Sequence, residues 1–234
     1  MARGFGTKTC VIAFLCVGLS GATLKELTEA RDRQDAAALE RLVSQCREAA
    51  QQAPQSAEAD YQLALAYSYS AEVAMELHDK KKAEALAEAG LEPARKAVGE
   101  NGTKAEYHRL LGELCGQVIP ANPIFGALKY GQCARDEISK ALQLDGNLAL
   151  AYVSRGVGNF YLPSSMGGGV DVALKDLDKA IELNPNLAEA YLWKGITLRK
   201  ASRDAEARKS FERALQLDPN RLWAKEQLSK TPAT

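Results

Sequence analysis

Small residues that recur at fixed spacing constrain the fold of this chain more than any other feature. Each of four units contains one small residue, then two more that are seven positions apart, and then a proline or glycine five positions later. From the C-terminus backwards, the units contain Gly195-Ala207-Ala214-Pro219, Gly156-Ala173-Ala180-Pro185, Gly112-Ala134-Ala141-Gly146 and Ala64-Gly90-Ala97-Gly102. A period of about 34 residues is typical of helical solenoids.

The residue types in this pattern favour pairs of antiparallel helices. Two helices approach closely only where one side chain at the contact is very small. A proline or glycine at the end of each unit stops the second helix and turns the chain. Ala (39) and Leu (30) far outnumber Val, Ile and Thr (24 together), which argues against a sheet. We therefore predict an all-α chain.

The last unit resembles the tetratricopeptide repeat (TPR) family. Residues 188–195 read AEAYLWKG, and Ala207, Phe211, Ala214 and Pro219 follow at the family's spacing. The resemblance implies an α-solenoid of TPR-type antiparallel helix pairs, with lengthened or inserted hairpins in the earlier units. It covers nearly the whole chain after residue 22 and indicates the fold without indicating the partner.

The repeat pattern predicts the following division of the chain. A helical half-repeat or cap covers residues 23–56, and a capping helix and tail cover residues 222–234. Between them lie four units, at residues 57–102, 103–146, 147–187 and 188–221.

Three units are longer than the standard one. In the first, both helices are predicted to be lengthened, with Pro93 bending or interrupting the second helix. In the second, Pro120 and Pro123 predict a loop around residues 119–126. In the third, the glycines of residues 167–169 predict a flexible turn.

The first 22 residues have the pattern of a cleaved export signal. Arg3 and Lys8 precede an apolar run at residues 10–19, and small residues up to Ala22 follow it. The run is shorter than the roughly 20 residues that span a bilayer. Cleavage after Ala22 would make the mature protein periplasmic or secreted, with no integral membrane segment. An uncleaved N-terminal anchor is the alternative.

Charge and motifs argue against catalysis and nucleic-acid binding. The formal net charge is zero, with 30 basic and 30 acidic residues, and the sequence lacks the basic excess of nucleic-acid binders. It contains two histidines and none of the common phosphate-binding, nucleophile or metalloprotease motifs. We expect no catalytic residues, no cofactor and no metal site.

The resemblance places candidate partner-binding residues on the first helix of each unit. In TPR stacks these positions line a concave groove, and aromatic and Arg side chains are typical anchors of bound peptides. The candidates are Tyr61, Leu65, Tyr69, Arg109, Glu113, Val153, Val157, Tyr161, Leu192, Ile196 and Arg199.

Two functions are consistent with this surface. The first is a non-catalytic scaffold of the bacterial cell envelope that holds a protein or peptide partner in the groove. The alternative is a periplasmic ligand-binding accessory protein of a transport system, with an apolar pocket closed by residues 119–125. Periodicity does not separate an open groove from one that the insertions bury.

Three cysteines remain after residue 22. Cys115 follows Gly112 and Cys133 precedes Ala134, so both lie near the predicted closest approach of the two helices of one hairpin. They are candidates for a disulfide, which would leave Cys46 unpaired, and the alternative is that both are small buried residues.

Overall fold

The computed structural model describes residues 22–121 and 123–233, and within these ranges the chain forms eleven α-helices and no strand. The helices are α1 (Leu24–Asp32), α2 (Ala36–Gln52), α3 (Ala57–Glu76), α4 (Lys80–Glu100), α5 (Ala105–Val118), α6 (Pro123–Leu144), α7 (Ala149–Tyr161), α8 (Val170–Leu183), α9 (Ala188–Lys200), α10 (Asp204–Leu217) and α11 (Leu222–Ser229). Short 3-10 helices cover Ile119–Ala121 and Ser164–Met166. The all-α solenoid predicted from the repeat is confirmed.

Side-chain caps set the starts of the first four helices. Thr23 and Glu26 form a reciprocal capping box at α1. The side chains of Asp35, Ser56 and Asp79 accept backbone N–H groups at α2, α3 and α4. Successive helices then pack in pairs, with α3 on α4, α5 on α6, α7 on α8 and α9 on α10.

The structure differs from the sequence prediction at Pro93 and at Pro123. Helix α4 is continuous from Lys80 to Glu100, so Pro93 does not interrupt it. Helix α4 packs against both α3 and α5, and these contacts hold it together across one missing backbone donor. The predicted loop at residues 119–126 is largely helical, because α6 begins at Pro123. Proline is well suited to the first position of a helix.

The core has an N-terminal and a C-terminal part. The larger part joins α1 to α6 through residues such as Leu27, Leu39 and Leu114. The C-terminal part consists of two smaller clusters, one around Leu177 and one around Phe211, which together join α7 to α11. Of the predicted signal segment, residues 1–21 lie outside the described residues, and Ala22 is buried in the larger core. None of the described helices is long and apolar enough to cross a membrane.

Candidate functional site

The first helices of successive pairs form one continuous layer. Helices α3, α5, α7 and α9 lie side by side, and α1 packs against α3 at the N-terminal end. The predicted groove residues all lie on this layer.

Five of the predicted groove residues are buried. Leu65 belongs to the N-terminal core, Val153 packs with Leu177, and Leu192 and Ile196 pack with Phe211. Arg109 is enclosed by ion pairs. These side chains are not available to a partner, because neighbouring helices pack closely around them.

A polar network of side chains occupies most of the central part of the layer. The Arg109 guanidinium donates to Glu106 and Glu113, and both Ser68 of α3 and Ser154 of α7 donate to the Glu113 carboxylate. The network therefore connects α3, α5 and α7. Its groups are satisfied within the chain, so Arg109 and Glu113 serve helix packing.

Tyr61 and Tyr69 of α3 are half-buried. Tyr61 stacks on Tyr107 with ring centroids 4.9 Å apart, and its hydroxyl donates to Glu106. The guanidinium of Arg31 lies 4.7 Å from the Tyr69 ring centroid. Burial raises the pKa of both phenols, which marks a poorly solvated interior.

The C-terminal part of the layer carries an aromatic cluster of Phe160, Tyr161, Trp193 and Trp223. The Trp193 ring centroid lies 6.0 Å from that of Phe160 and 5.3 Å from that of Trp223, both with edge-to-face geometry. The cluster thus runs across α7, α9 and α11. Tyr161, a predicted groove residue, is 57% exposed.

The remaining predicted residues flank this cluster. Val157 is half-buried against Val153 and Leu177. Arg199 donates to the backbone oxygen and the side chain of Gln227, which fixes α11 to α9. Tyr161 is therefore the one member of the predicted set that the structure exposes.

A cluster of buried carboxylates, which sequence analysis missed, joins the N-terminal end of the layer to its C-terminal end. Asp32 of α1, Glu72 and Glu76 of α3, and Glu189 of α9 surround the side chain of Arg221, which directly precedes α11. The hydrogen bonds of the cluster join residues up to 149 positions apart. No local sequence signal identifies it, because each member looks like an ordinary charge on a helix.

Burial dominates the electrostatics of the carboxylate cluster. It raises the pKa of Glu72 to about 8 and that of Asp32 to about 6, although Arg221 and Arg31 oppose both shifts. Burial raises the pKa of Glu76 as well. Four carboxylates therefore share two guanidinium groups in a poorly solvated space.

The apolar segment that would close a pocket in the alternative function faces outward. Ile124 and Phe125 are 79% and 69% exposed, and Leu128 on the next turn of α6 is also exposed. These side chains do not line a sealed cavity. This geometry gives the alternative function no support.

Cys115 and Cys133 form a disulfide in the structure, with their Cα atoms 6.0 Å apart. The bond connects α5 with the middle of α6, where the two helices pass each other closely at Gly112. Cys46 is free and buried. Among the described residues, no group of His, Cys, Asp and Glu side chains could hold a metal ion.

Comparisons with known proteins match two parts of the chain. The model of the family described as regulator of microtubule dynamics protein 1-3 matches residues 23–162. The tetratricopeptide repeat model matches residues 188–221. No curated protein matches the sequence.

Comparison with solved structures finds several TPR proteins. A thermophilic TPR protein of Thermus thermophilus, TTC0263, is 18% identical with a TM-score of 0.62, over 86% of this chain and 97% of its own. PilF of Pseudomonas aeruginosa is 20% identical with a TM-score of 0.47, over 74% of this chain and 66% of its own. MamA is 20% identical with a TM-score of 0.44, over 90% of this chain and 98% of its own. At these identities the first match shows a common fold.

Proposed function

The chain belongs to the regulator of microtubule dynamics protein 1-3 family and has TPR architecture, and from this premise we propose that it binds a partner segment on its aromatic cluster. Proteins of the TPR family are generally non-catalytic scaffolds that bind proteins or peptides. The proposed function is therefore a protein-binding scaffold. The observation that carries it is the exposed Tyr161 at the edge of the aromatic cluster.

The chemistry of the cluster suits an extended segment with apolar side chains. Among the described residues, the Tyr161 hydroxyl and the indole N–H groups of Trp193 and Trp223 have no hydrogen-bond partner. These donors would reach backbone carbonyls of a bound segment while the rings pack on its side chains. Tyr and Trp are the residues most enriched at the energetic centres of interfaces.

Site-specific photo-cross-linking tests the proposal. With p-benzoylphenylalanine in place of Tyr161, we expect a partner to be cross-linked in native cells, whereas the same probe at exposed Lys209 of α10 should capture none. Without the cross-linker, Tyr161→Ala should weaken copurification of the same partner roughly tenfold or more, because it removes an aromatic anchor. Its melting temperature should stay unchanged, and a clear decrease would identify Tyr161 as a packing residue instead.

The identity of the cross-linked protein also tests the cellular setting. An envelope protein would support the bacterial envelope scaffold that the N-terminal pattern suggests. A microtubule-associated protein would instead support a role in microtubule dynamics, the process that the family's description names.

Export is a separate proposal that rests on residues 1–22. If the segment is a cleaved signal, mass spectrometry of the purified native protein should identify Thr23 as the first residue, and fractionation should find the protein outside the cytoplasm. Intact peptides that span Ala22 and Thr23 in the native protein would contradict this proposal.

A further inference from the structure

The Arg221 side chain is held by carboxylates from several helices. Its guanidinium donates to both oxygens of Glu76, at 2.5 and 3.1 Å, and to Glu72 at 2.5 Å. Its Nε lies 3.8 Å from one oxygen each of Asp32 and Glu189. Only 3% of the residue is exposed. The arrangement is a built guanidinium site, since paired carboxylate oxygens match the planar fork of arginine.

Arg221 links opposite ends of the solenoid. Helix α11 packs on α10, while α1 and α3 belong to the N-terminal pairs. In the described part of the chain, every hydrogen bond between α3 and the segment from Arg221 onwards comes from the Arg221 side chain. In this closed form the two ends of the layer are in contact, and the contact depends strongly on Arg221.

Arg221 does not form all of its possible hydrogen bonds in this site. The Nε of Arg221 is buried and has no hydrogen-bond partner in the described residues. Arg31 donates two hydrogen bonds to Asp32, and Gln34 donates one to Glu76. Within the described part of the chain, Arg221 is the guanidinium that donates hydrogen bonds to Glu72 and Glu76. A buried carboxylate cluster that loses its cation is strongly destabilised. The cluster therefore requires a guanidinium, and Arg221 fills this role with one of its own donors left unpaired.

We propose that Asp32, Glu72, Glu76 and Glu189 form an arginine-binding site that Arg221 occupies in the free protein, and that an arginine of a partner segment displaces Arg221 from it. The displacement by a partner rests on the proposed function. The occupancy by Arg221 rests on its contacts alone. Arg221 thus acts as a tethered competitor at the edge of the partner-binding layer.

Vacating the site tests the proposal directly. Arg221→Ala should bind N-acetylarginine amide at least about tenfold more tightly than the wild type, because the tethered competitor is gone. N-acetyllysine amide should bind about tenfold more weakly than the arginine probe, because an ammonium lacks the bidentate fork. As a control, Arg203→Ala, which removes an exposed arginine paired with Glu206, should behave like the wild type. Equal arginine binding by all three proteins would overturn the proposal.

A distance measurement tests the closure. Fluorophores on Lys25→Cys and Lys225→Cys, both exposed positions, report the separation of α1 and α11. Arg221→Ala should lengthen this distance, and N-acetylarginine amide should shorten it again. If Arg221→Ala does not fold, Arg221→Lys provides the same test, with partial lengthening expected. Unchanged distances in a folded variant would refute the closure.

The pH dependence supplies an independent check. Glu72 faces Arg221, Arg31, Glu76 and Glu189, and burial raises its pKa to about 8 in the closed form. A solvated glutamate has an ordinary, lower pKa, so the closed form binds more protons and is favoured at low pH. Between the ordinary glutamate range and about pH 8, the closing constant should decrease by up to about tenfold per pH unit, and above about pH 8 this dependence should level off. Glu72→Gln should flatten this slope, and an unchanged slope would contradict the assignment.

The two proposals fail in different ways. If Tyr161 cross-links no partner but Arg221→Ala binds arginine, the proposed function is wrong and the arginine site stands. If Tyr161 captures a partner but Arg221→Ala shows no arginine preference, the arginine site is wrong and the scaffold function stands.

Discussion

Gly195→Leu should lower the free energy of unfolding by about 1–3 kcal/mol, because it overpacks the contact between α9 and α10. A Cβ added at Gly195 would lie 2.5 Å from the Phe211 ring. The Phe211 side chain is fully buried, so it has little freedom to move away. Urea denaturation followed by circular dichroism measures the loss. The three atoms nearest to the added Cβ all belong to Phe211 rather than to Ala207.

Gly158→Leu is the matched control. Gly158 also lies in a first helix, and a Cβ added there would contact nothing within 4 Å. Leu forms helix better than Gly by up to about 1 kcal/mol, so this variant should be as stable as the wild type or more stable. Equal losses in both variants would show that the contact with Phe211 is not the cause.

Loss of the disulfide between Cys115 and Cys133 should destabilise the protein by roughly 3 kcal/mol in the loop-entropy model. The two residues are 18 positions apart, so the bond restricts a loop of moderate length in the unfolded chain. The double variant Cys115→Ala and Cys133→Ala should therefore unfold at lower urea concentration than the unreduced wild type. Its stability should resemble that of the wild-type protein with the disulfide reduced.

Cys46→Ala separates the effect of losing the disulfide from the effect of losing a buried cysteine side chain. Cys46 is buried but free, so its replacement should cost only about 1 kcal/mol, as expected for a small cavity. Thiol titration of denatured, unreduced residues 23–234 should find one free thiol. Three free thiols would exclude the bond.

The sequence by itself determined the helical solenoid. Small residues at constant spacing indicate close helix contacts, and Gly156 illustrates this: a Cβ there would lie 3.1 Å from Leu177 and 3.3 Å from the Ala173 backbone oxygen. Such contacts occur within one hairpin, so the local sequence contains both partners. The helical caps at Ser56 and Asp79 are equally local.

The candidate site depended on contacts that the local sequence does not contain. The predicted groove positions came from one repeat at a time, so the prediction did not include neighbouring helices that bury Leu65, Val153, Leu192 and Ile196. Tyr161 remained exposed because it lies at the C-terminal end of α7.

Only the tertiary structure decided how the two ends of the solenoid meet. Arg221 contacts Glu72 and Glu76 across about 145 positions of sequence. This geometry results from the summed rotation of successive helix pairs, to which the lengthened α3 and α4 and the insertions before α6 and α8 all contribute. Spacing within a repeat specifies each hairpin but not that sum. The sequence therefore determined the units, and their packing determined which charges became buried together.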